Sequence, residues 1–559
     1  MKRSVASLLL VVLTAAVAAQ AWRCRRSSPP PHRPSRPAGP VTIRGFVRGA
    51  DGPVKGAVVR VQATEHSVLS GADGAFELSA EAGKAVTVTA WREGHYIAWC
   101  HTTAGSGPVE IVLKPHYTED NADYNWFSEE GAQGSKSCGH CMPRHYAEWK
   151  ADAHSTSAIN ARFLSVYNGT DTRGNRSPRT RHRTDENHWI APLKPDPNKP
   201  YYGPGYKLDF PNEPGNCAAC HAPAAAAKLG FDLPGDVNNL TAREREGVFC
   251  EFCHKIGDVT LDASTGLPYW NTPGVNSMRL YRPEDGNQLF FGTFDDVTRR
   301  VTYSPLLTES RFCAPCHWGI FSGVLIYNSF GEWVDSPYSD PNVGKTCQDC
   351  HMPVTDDTWF VLPEKGGHHR KPGRIFNHRM PGAADVAFLQ DTAKLVVHAE
   401  RRDGRIVVDV EVTNEKAGHH IPTDHPSRNI LLVLSVTDAA GNELEHLGRQ
   451  VLPQWAGAGG DPDDYAGRPG KGYAKILEEV WTGTWPSIAY WRQTSLRADT
   501  RIEALATDRT HYEFRPPAKG GPVTVQARLI FRRAFKELAK QKKWNVKDIL
   551  MEHEKAVVP

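Results

Sequence analysis

Residues 216–221 read NCAACH, and the last five of them, Cys217–His221, form a Cys-x-x-Cys-His motif that occurs four times in the chain. The other copies are Cys250–His254, Cys313–His317 and Cys347–His351. This pentapeptide is the attachment sequence of c-type haem, in which two thiols bond the macrocycle and the imidazole becomes the proximal iron ligand. The sequence therefore predicts four haem c groups, held by Cys217 and Cys220, Cys250 and Cys253, Cys313 and Cys316, and Cys347 and Cys350, with His221, His254, His317 and His351 as proximal ligands.

Structural zinc is the rival interpretation of paired cysteines. Zinc knuckles converge in pairs about 15–20 residues apart and need no histidine directly after the second cysteine. Here the motifs are separated by roughly thirty residues or more, and each of the four carries that histidine. The pattern therefore favours haem over zinc, and over structural disulfides.

The composition limits the class of protein. A chain of 559 residues is long enough for several domains, and 40% of its residues are hydrophobic. We expect the haem-binding part to take much of its core from porphyrin. The net charge of +3 gives no indication of a nucleic-acid partner.

The N-terminus has the features of an export signal. A basic start is followed by an apolar run from Val5 to Trp22, with Ala19-Gln20-Ala21 as a candidate cleavage site. Residues 1–22 are predicted as a signal peptide, with an uncleaved membrane anchor as the alternative. Residues 23–40 are rich in proline and basic residues, which predicts an extended linker. The protein is expected in the periplasm or at the cell surface, or outside the cell.

Residues 41–114 predict an N-terminal β-sandwich. Short alternating segments such as 43–47 and 86–90 are separated by turn sequences such as Asp73-Gly74. The stretch GFVRGADGPVKGAVVRV, followed by ADGAFEL and GHY, resembles the carboxypeptidase regulatory-like domain. That resemblance implies a transthyretin-like sandwich that serves as an accessory or docking module.

The rest of the chain divides into three parts. Residues 115–390 lose the alternation and are predicted as a central, mainly helical or irregular multihaem domain. From residue 391 to 532 the alternation returns, for example at Ile406, Val408, Val410 and Val412, which predicts a C-terminal immunoglobulin-like β-sandwich. Residues 533–559 are predicted as a basic tail that begins with a helix from about Arg532 to Lys543.

Each iron in a low-spin carrier also needs a sixth ligand. The chain contains 24 histidines against four proximal positions. Four segments outside the motifs give the distal candidates His154 in YAEWKADAH, His369 in GGHHRKPG, His378 in NHRMPG and His419 in AGHHIP. Isolated surface histidines are commoner than ligands, and we interpret His32, His66, His446, His511 and His553 in that way.

Residues 138–425 resemble the multihaem c-type cytochromes related to the tetrahaem carrier of the hydroxylamine pathway. The matching segments are YAEWKADAH, NCAACH, EGVFCEFCHKI, RFCAPCH, SFGEWVDSPYSD, GKTCQDCHMP, NHRMPG and GHHIP, in this order. The resemblance implies haems with two histidine ligands, stacked in close pairs, and electron transfer as the function. Carried onto this chain, it implies His154, His378 and His419 as distal ligands.

The first cysteine pair departs from that pattern. Cys138-Gly-His-Cys141 is followed by Met142, where the family has the proximal histidine of its first haem. Three alternatives remain open: a fifth haem with Met142 or a remote residue as ligand, a disulfide between Cys138 and Cys141, or two free or metal-binding thiols.

The helix predicted after this pair bears on His154. Pro143 suits a first helical position, and the pattern predicts a helix from Arg144 to Ile159. At 1.5 Å per residue, His154 would lie about 16 Å beyond Pro143. That is too far from Cys138 and Cys141, so His154 is expected to ligate one of the four haems of the complete motifs.

The sequence thus predicts an exported electron carrier that exchanges electrons with redox partner proteins. Self-association and membrane attachment through the N-terminus are further expectations. The enzymatic alternative is a haem-dependent redox enzyme for small nitrogen or sulfur compounds, with the unusual site at Cys138 and Cys141 as its active centre. A third alternative is a surface interaction protein in which haem is structural.

Overall fold

The computed structural model of the protein describes residues 39–126, 134–188, 190–229, 235–284 and 287–559. The predicted signal peptide or anchor at 1–22 and nearly all of the predicted linker at 23–40 lie outside these residues. In the described ranges, no helix has both the length and the apolar character that a membrane span requires.

The first part of the structure, which we call the N-terminal sheet pair (residues 40–113), consists of two four-stranded sheets. The strands are β1 (Pro40–Gly49), β2 (Gly52–Pro53), β3 (Val58–Val61), β4 (Ser67–Leu69), β5 (Ala75–Glu81), β6 (Ala85–Trp91), β7 (Ala98–Thr103) and β8 (Val109–Val112). One sheet has the order β2-β1-β5, with β8 parallel to β1, and the other has the order β4-β3-β6-β7. Alternate residues such as Ile43, Val47, Phe76 and Val88 are buried between the two sheets.

The middle of the chain, which we call the cavity region (residues 134–390), is built from short elements. Its described helices are α1 (Ser135–Gly139), α2 (Pro143–Ala151), α3 (Ala161–Asn168), α4 (Tyr206–Asp209), α5 (Ala218–His221), α6 (Pro223–Leu229), α7 (Cys250–Cys253), α8 (Ser329–Val334), α9 (Cys347–His351) and α10 (Val386–Gln390). Between them lie two-stranded ribbons of β9 (His182–Thr184) with β10 (Ile190–Pro192), β11 (Ile256–Val259) with β12 (Met278–Leu280), β13 (Phe290–Gly292) with β14 (Val301–Tyr303), β15 (Gly319–Phe321) with β16 (Val324–Tyr327), and β17 (Val354–Thr355) with β18 (Ile375–Phe376).

Helix α2 is shorter than the sequence pattern predicts. The expected helix from Arg144 to Ile159 ends at Ala151, because Asp152 adopts an extended conformation and caps a new 3-10 turn over Ala153–Thr156. The Asp152 side chain accepts a hydrogen bond from the backbone N–H of His154, as the side chain of an N-cap residue usually does. The predicted helix was therefore wrong beyond residue 151, and His154 lies on a separate turn.

The C-terminal sheet pair (residues 393–558) again consists of two packed sheets. Its strands are β19 (Ala393–Arg402), β20 (Arg405–Asn414), β21 (Asn429–Thr437), β22 (Gly470–Glu479), β23 (Thr494–Asp499), β24 (Thr507–Phe514), β25 (Val523–Arg532) and β26 (Ile549–Val558). The sheets have the orders β19-β20-β24 and β23-β22-β21-β25-β26. The alternating residues of β20 named above all lie in the core between them.

The tail contains the expected helix over a shorter range, but it ends in a strand that the sequence analysis did not predict. Arg532 is the last residue of β25, helix α11 covers Lys536–Lys542, and Lys543 ends it in a left-handed conformation with φ 55°. Residues 549–558 then form β26, which pairs antiparallel with β25 along its whole length. The tail is a strand because Met551 and Val558 are buried in the core of the sheet pair while charged residues between them face outward.

Candidate cofactor cavity

A large cavity lies between the short elements of the cavity region and the loops of the C-terminal sheet pair. Its volume is about 2660 Å³, whereas ordinary ligand pockets measure about 300–1,000 Å³. Its walls include all eight cysteines and all four histidines of the Cys-x-x-Cys-His motifs, together with Cys138, Cys141, His154, His378 and His419. All the site residues predicted from the sequence, apart from His369, therefore line this one cavity.

A helical turn presents each motif to the cavity. Backbone hydrogen bonds join the N–H of the histidine to the carbonyl oxygen of the first cysteine in the first three motifs, at 3.0 Å for His221, 3.1 Å for His254 and 3.2 Å for His317. The fourth motif is helix α9, whose start is fixed by a capping box between Thr346 and Asp349. Because residues four apart lie on the same face of a helical turn, the first thiol and the imidazole point the same way.

Each proximal histidine is oriented through its Nδ1 atom. His221 Nδ1 lies 3.1 Å from the Ser157 carbonyl oxygen and His254 Nδ1 lies 2.6 Å from that of Phe291. His351 Nδ1 lies 2.7 Å from the Pro381 carbonyl oxygen. An imidazole that donates through Nδ1 keeps its lone pair on Nε2, which is the usual arrangement of a metal-ligating histidine.

His317 differs from the other three because its Nδ1 faces a carboxylate. Asp424 Oδ2 lies 3.0 Å away, and the same carboxyl group accepts a hydrogen bond of 2.5 Å from the Ser329 hydroxyl. Burial lowers the pKa of His317 and the Asp424 carboxylate raises it, with a net upward shift. Burial lowers the pKa of His221 and of His351 to about 4. A carboxylate partner therefore makes His317 the most basic of the four motif histidines.

Three of the proximal histidines face a second imidazole at nearly the same distance. The ring centroids are 6.4 Å apart for His317 and His154, 6.4 Å for His254 and His378, and 6.5 Å for His351 and His419. A metal–imidazole bond is about 2.0–2.1 Å, and the centroid lies roughly 1.1–1.2 Å behind the nitrogen, so two imidazoles on one metal have centroids about 6.4 Å apart. The spacing fits one metal ion between the rings of each pair.

Two of the distal histidines are also held through Nδ1. The Nδ1 atom of His154 lies 2.6 Å from the Asp152 carboxylate, and that of His419 lies 3.0 Å from the His420 carbonyl oxygen. The third, His378, is placed by its backbone N–H, which donates to the Glu148 carboxylate at 2.9 Å. The three distal residues implied by the family resemblance are therefore the three that the structure pairs.

The fourth distal candidate is placed elsewhere. His369 is exposed, with Nδ1 3.1 Å from the Thr358 hydroxyl, and it does not line the cavity. Two other histidines that do line the cavity were missed, His145 and His425. His425 belongs to the same segment as His419, so a third histidine in AGHHIPTDHP was the signal that could have identified it.

The cysteines of the incomplete motif lie in the cavity wall as separate thiols. Cys138 is in helix α1, and its thiol hydrogen-bonds the thiol of Cys250; this contact and burial raise the pKa of Cys138. Met142 also lines the cavity. The structure therefore places the incomplete motif beside the second complete motif. All three alternatives for Cys138 and Cys141, namely a fifth haem, a disulfide, and free or metal-binding thiols, stay predictions.

Comparison with protein-family models gives no match, and comparison with curated proteins gives none either. Among solved structures, the chain is similar to a penta-haem cytochrome c552 from Thermochromatium tepidum, with a TM-score of 0.50 and 20% sequence identity. The match covers 76% of this chain and 98% of that protein. The likeness shows that the two chains share a fold.

Proposed function

We propose that the protein is a multihaem cytochrome c that transfers electrons through four covalently attached haems. The observation that carries the proposal is the set of three imidazole pairs at 6.4–6.5 Å, each of which includes the histidine of a Cys-x-x-Cys-His motif. The cavity that these pairs line has room for several large cofactors. The shared fold with a penta-haem cytochrome supports the same conclusion.

The residues of the chain have distinct roles in this function. The paired cysteines would attach the macrocycles, and His221, His254, His317 and His351 would bind the irons. His154, His378 and His419 would supply the second iron ligand at three of these sites. The carbonyl groups and the Asp424 carboxylate on the Nδ1 atoms fix the orientation of the rings and tune their basicity. When bound, each haem supplies one-electron exchange between ferric and ferrous iron.

The attachment motifs are close enough to form a relay. The sulfur atom of Cys220 lies beside that of Cys316, and the sulfur atom of Cys313 lies beside that of Cys347. These contacts join the first, third and fourth complete motifs in a continuous row. Electrons would therefore pass between neighbouring sites within one protein, from one redox partner protein to another.

The proposed cellular location and partner proteins rest on the sequence. Covalent attachment of c-type haem and the predicted export signal both favour the periplasm or the cell surface. The two sheet pairs offer surfaces for redox partner proteins or for self-association. The N-terminal apolar segment would either be removed or attach the protein to the membrane.

Intact mass spectrometry of the mature protein tests the proposal. We expect a mass that exceeds the polypeptide by four haems, and the loss of one haem in a Cys313→Ser, Cys316→Ser double variant. Cys100→Ser is the matched control, because Cys100 lies on β7 outside the cavity. A mature protein without covalent haem would refute the function.

The same measurement addresses the incomplete motif. A fifth haem mass that disappears in a Cys138→Ser, Cys141→Ser variant would place a haem there, as one of the sequence-based alternatives predicts. A mass of four haems that this variant leaves unchanged would show that Cys138 and Cys141 carry none.

A further inference from the structure

A strongly basic segment lies between α3 and α4. Residues 173–199 contain seven arginine and lysine residues and three aspartate and glutamate residues, which gives the segment a net charge of +4. The whole chain carries +3, so the rest of the chain taken together is close to neutral. We call residues 173–188 and 190–199 the basic arm.

The cations of the basic arm are exposed and have no carboxylate partner. All seven are exposed, namely Arg173, Arg176, Arg179, Arg181, Arg183, Lys194 and Lys199. Within the described ranges, none of them forms an ion pair within 4.0 Å, whereas Lys207 in the neighbouring α4 is paired with Asp236 at 2.8 Å. Exposed charges of one sign without counter-charges attract a partner of the opposite sign.

The base of the basic arm is hydrogen-bonded to the body of the protein. The Ser177 hydroxyl donates to the Gly203 carbonyl oxygen at 3.1 Å and accepts from the backbone N–H of Tyr202 at 2.8 Å, which ties the two ends of the arm together. The backbone N–H of Thr180 donates to the Leu208 carbonyl oxygen at 3.1 Å. These bonds fix the position of the arm relative to α4.

The ribbon within the basic arm has an exposed side and a buried side. Strand β9 is exposed along its length, while Ala191 and Pro192 of β10 are buried. Ile190, at the start of β10, is 72% exposed and pairs with Thr184 next to Arg183. The exposed side therefore combines an apolar side chain with surrounding charges, as interfaces between proteins commonly do.

Two hydrogen bonds connect the base of the basic arm with the cavity wall. The Thr180 hydroxyl donates to the Asp209 carboxylate. The same carboxyl group accepts a hydrogen bond of 2.5 Å from the indole N–H of Trp491, and Trp491 lines the cavity. The arm therefore lies directly outside the cavity wall.

The wall at this place belongs to the first complete motif. Tyr206 of α4 lines the cavity, and its ring lies so close to Gly215 that a Cβ atom there would come within 2.5 Å of the ring. Gly215 precedes Cys217 by two residues. The first complete motif is also one end of the row that it forms with the third and fourth motifs. The basic arm is therefore placed where electrons would enter or leave this row.

We infer that the basic arm is the docking surface for an acidic one-electron carrier protein, which exchanges electrons with the haem at the first complete motif. The inference rests on the proposed function, because it needs a haem at Cys217–His221. The exposed cations select the charge of the partner. The position at an end of the row favours an electron carrier over a nucleic acid or a membrane. In each exchange the reduced centre of the partner loses one electron, which reduces one ferric iron to ferrous iron, and no bond is formed or broken.

Electron transfer from an acidic plant-type ferredoxin to the haem-loaded protein tests the docking surface. The ferredoxin is reduced beforehand and separated from its reductant, and its [2Fe–2S] cluster then supplies one electron. The triple variant Arg179→Glu, Arg183→Glu, Lys194→Glu reverses three exposed charges of the arm. At low ionic strength, we expect the second-order rate constant and the affinity measured by biolayer interferometry to fall about tenfold or more. The difference from the wild type should shrink at high salt, because salt screens exposed charges.

Two controls separate docking on the arm from a general effect of charge. The triple variant Lys55→Glu, Lys394→Glu, Lys519→Glu reverses three exposed charges on the two sheet pairs, and it should change the rate and the affinity much less. A basic monohaem cytochrome c, used as an electron acceptor, should react with the arm variant at least as fast as with the wild type. Equal effects of the two triple variants, or equal slowing with both carriers, would overturn the inference.

Anionic lipid is another ligand that a basic surface can attract. Cosedimentation with phosphatidylglycerol vesicles measures this binding. If the arm variant lost vesicle binding but kept the rate and affinity for ferredoxin, the arm would be a membrane-binding surface and the inference would be overturned. A mass of four haems would still support the proposed function in that case, whereas failure of the proposed function would appear as absence of covalent haem.

Discussion

Two pairs of β-sheets flank the same cavity, but they contribute to it unequally. Among the described residues, the N-terminal sheet pair reaches the cavity wall only through Trp99. The C-terminal sheet pair supplies several residues of the wall, among them a paired histidine and a carboxylate beside His317, namely His419, Asp424, His425, Arg428, Tyr490 and Arg533. One sheet pair thus builds part of the cavity wall, whereas the other lies outside the cavity and reaches its wall at one residue.

The ion pairs that attach the two sheet pairs to the cavity region also differ, because one is more deeply buried than the other. Arg60 of the N-terminal sheet pair bonds Asp295 of the cavity region at 2.7 Å, and these side chains are 15% and 18% exposed. Arg492 of the C-terminal sheet pair bonds Asp209 of the cavity region at 2.8 Å and Glu479 at 2.8 Å, with all three side chains at most 8% exposed. The C-terminal contact is desolvated, so it should be more sensitive to substitution.

The largest expected effect is therefore a loss of stability at the C-terminal interface. Arg492→Met leaves Asp209 and Glu479 buried without a counter-charge, and we expect the free energy of unfolding to fall by about 3–5 kcal/mol. Arg60→Met is the matched control and is expected to cost about 1 kcal/mol. Denaturant unfolding of the haem-loaded proteins measures both. Equal losses would show that the two interfaces are of the same kind.

The second prediction concerns iron ligation. His419→Ala removes the imidazole that faces His351 at 6.5 Å, and we expect one additional high-spin haem in the resonance Raman spectrum. His101→Ala is the control, because His101 lies on β7 with Nδ1 3.0 Å from the Thr87 hydroxyl, outside the cavity. An unchanged spectrum for His419→Ala would exclude this residue as a ligand.

The motifs and the sheet cores could be predicted from the sequence because both depend on local patterns. The cysteine spacing is contained in five residues, and the alternation of Val408 and Val410 repeats every two residues. The end of α2 was missed because an Asp152 cap competes with helix propensity at one position. Strand β26 was missed because its charged residues hide the alternation.

The pairing of the histidines could not be predicted from local sequence patterns alone. His154 and His317 are far apart in the sequence, and their pairing depends on how the turn after α2 packs against the third motif. The segment that contains His419 could be identified from the family resemblance.

The third prediction concerns reduction potential. Asp424→Asn replaces the carboxylate on His317 Nδ1 with a neutral amide, which makes the imidazole a weaker donor to ferric iron. We expect the potential of one haem to rise by on the order of 60 mV, the equivalent of a tenfold change in relative affinity for a one-electron couple. Potentiometric titration measures the change.

Asp296→Asn is the control for that experiment. Asp296 is a buried carboxylate at the N-terminal interface, where it bonds Arg370 at 2.7 Å and accepts from the backbone N–H of Ala63 at 2.7 Å. It contacts no proximal histidine, so this variant should be less stable and have unchanged potentials. A potential shift as large as that of Asp424→Asn would mean that general loss of charge, rather than the hydrogen bond to His317, controls the potential.

The smallest expected effect is at the single N-terminal residue in the cavity wall. Trp99 is 42% exposed, so Trp99→Ala should change the free energy of unfolding by less than about 0.5 kcal/mol and leave the potentials unchanged. Trp491→Phe is the C-terminal counterpart, and it loses a hydrogen bond of 2.5 Å from the indole N–H to Asp209. Because that bond goes to a buried carboxylate, we expect a cost of about 1.5–3 kcal/mol. If Trp99→Ala shifted a haem potential, the N-terminal sheet pair would also influence a haem, and the two sheet pairs would differ in degree rather than in kind.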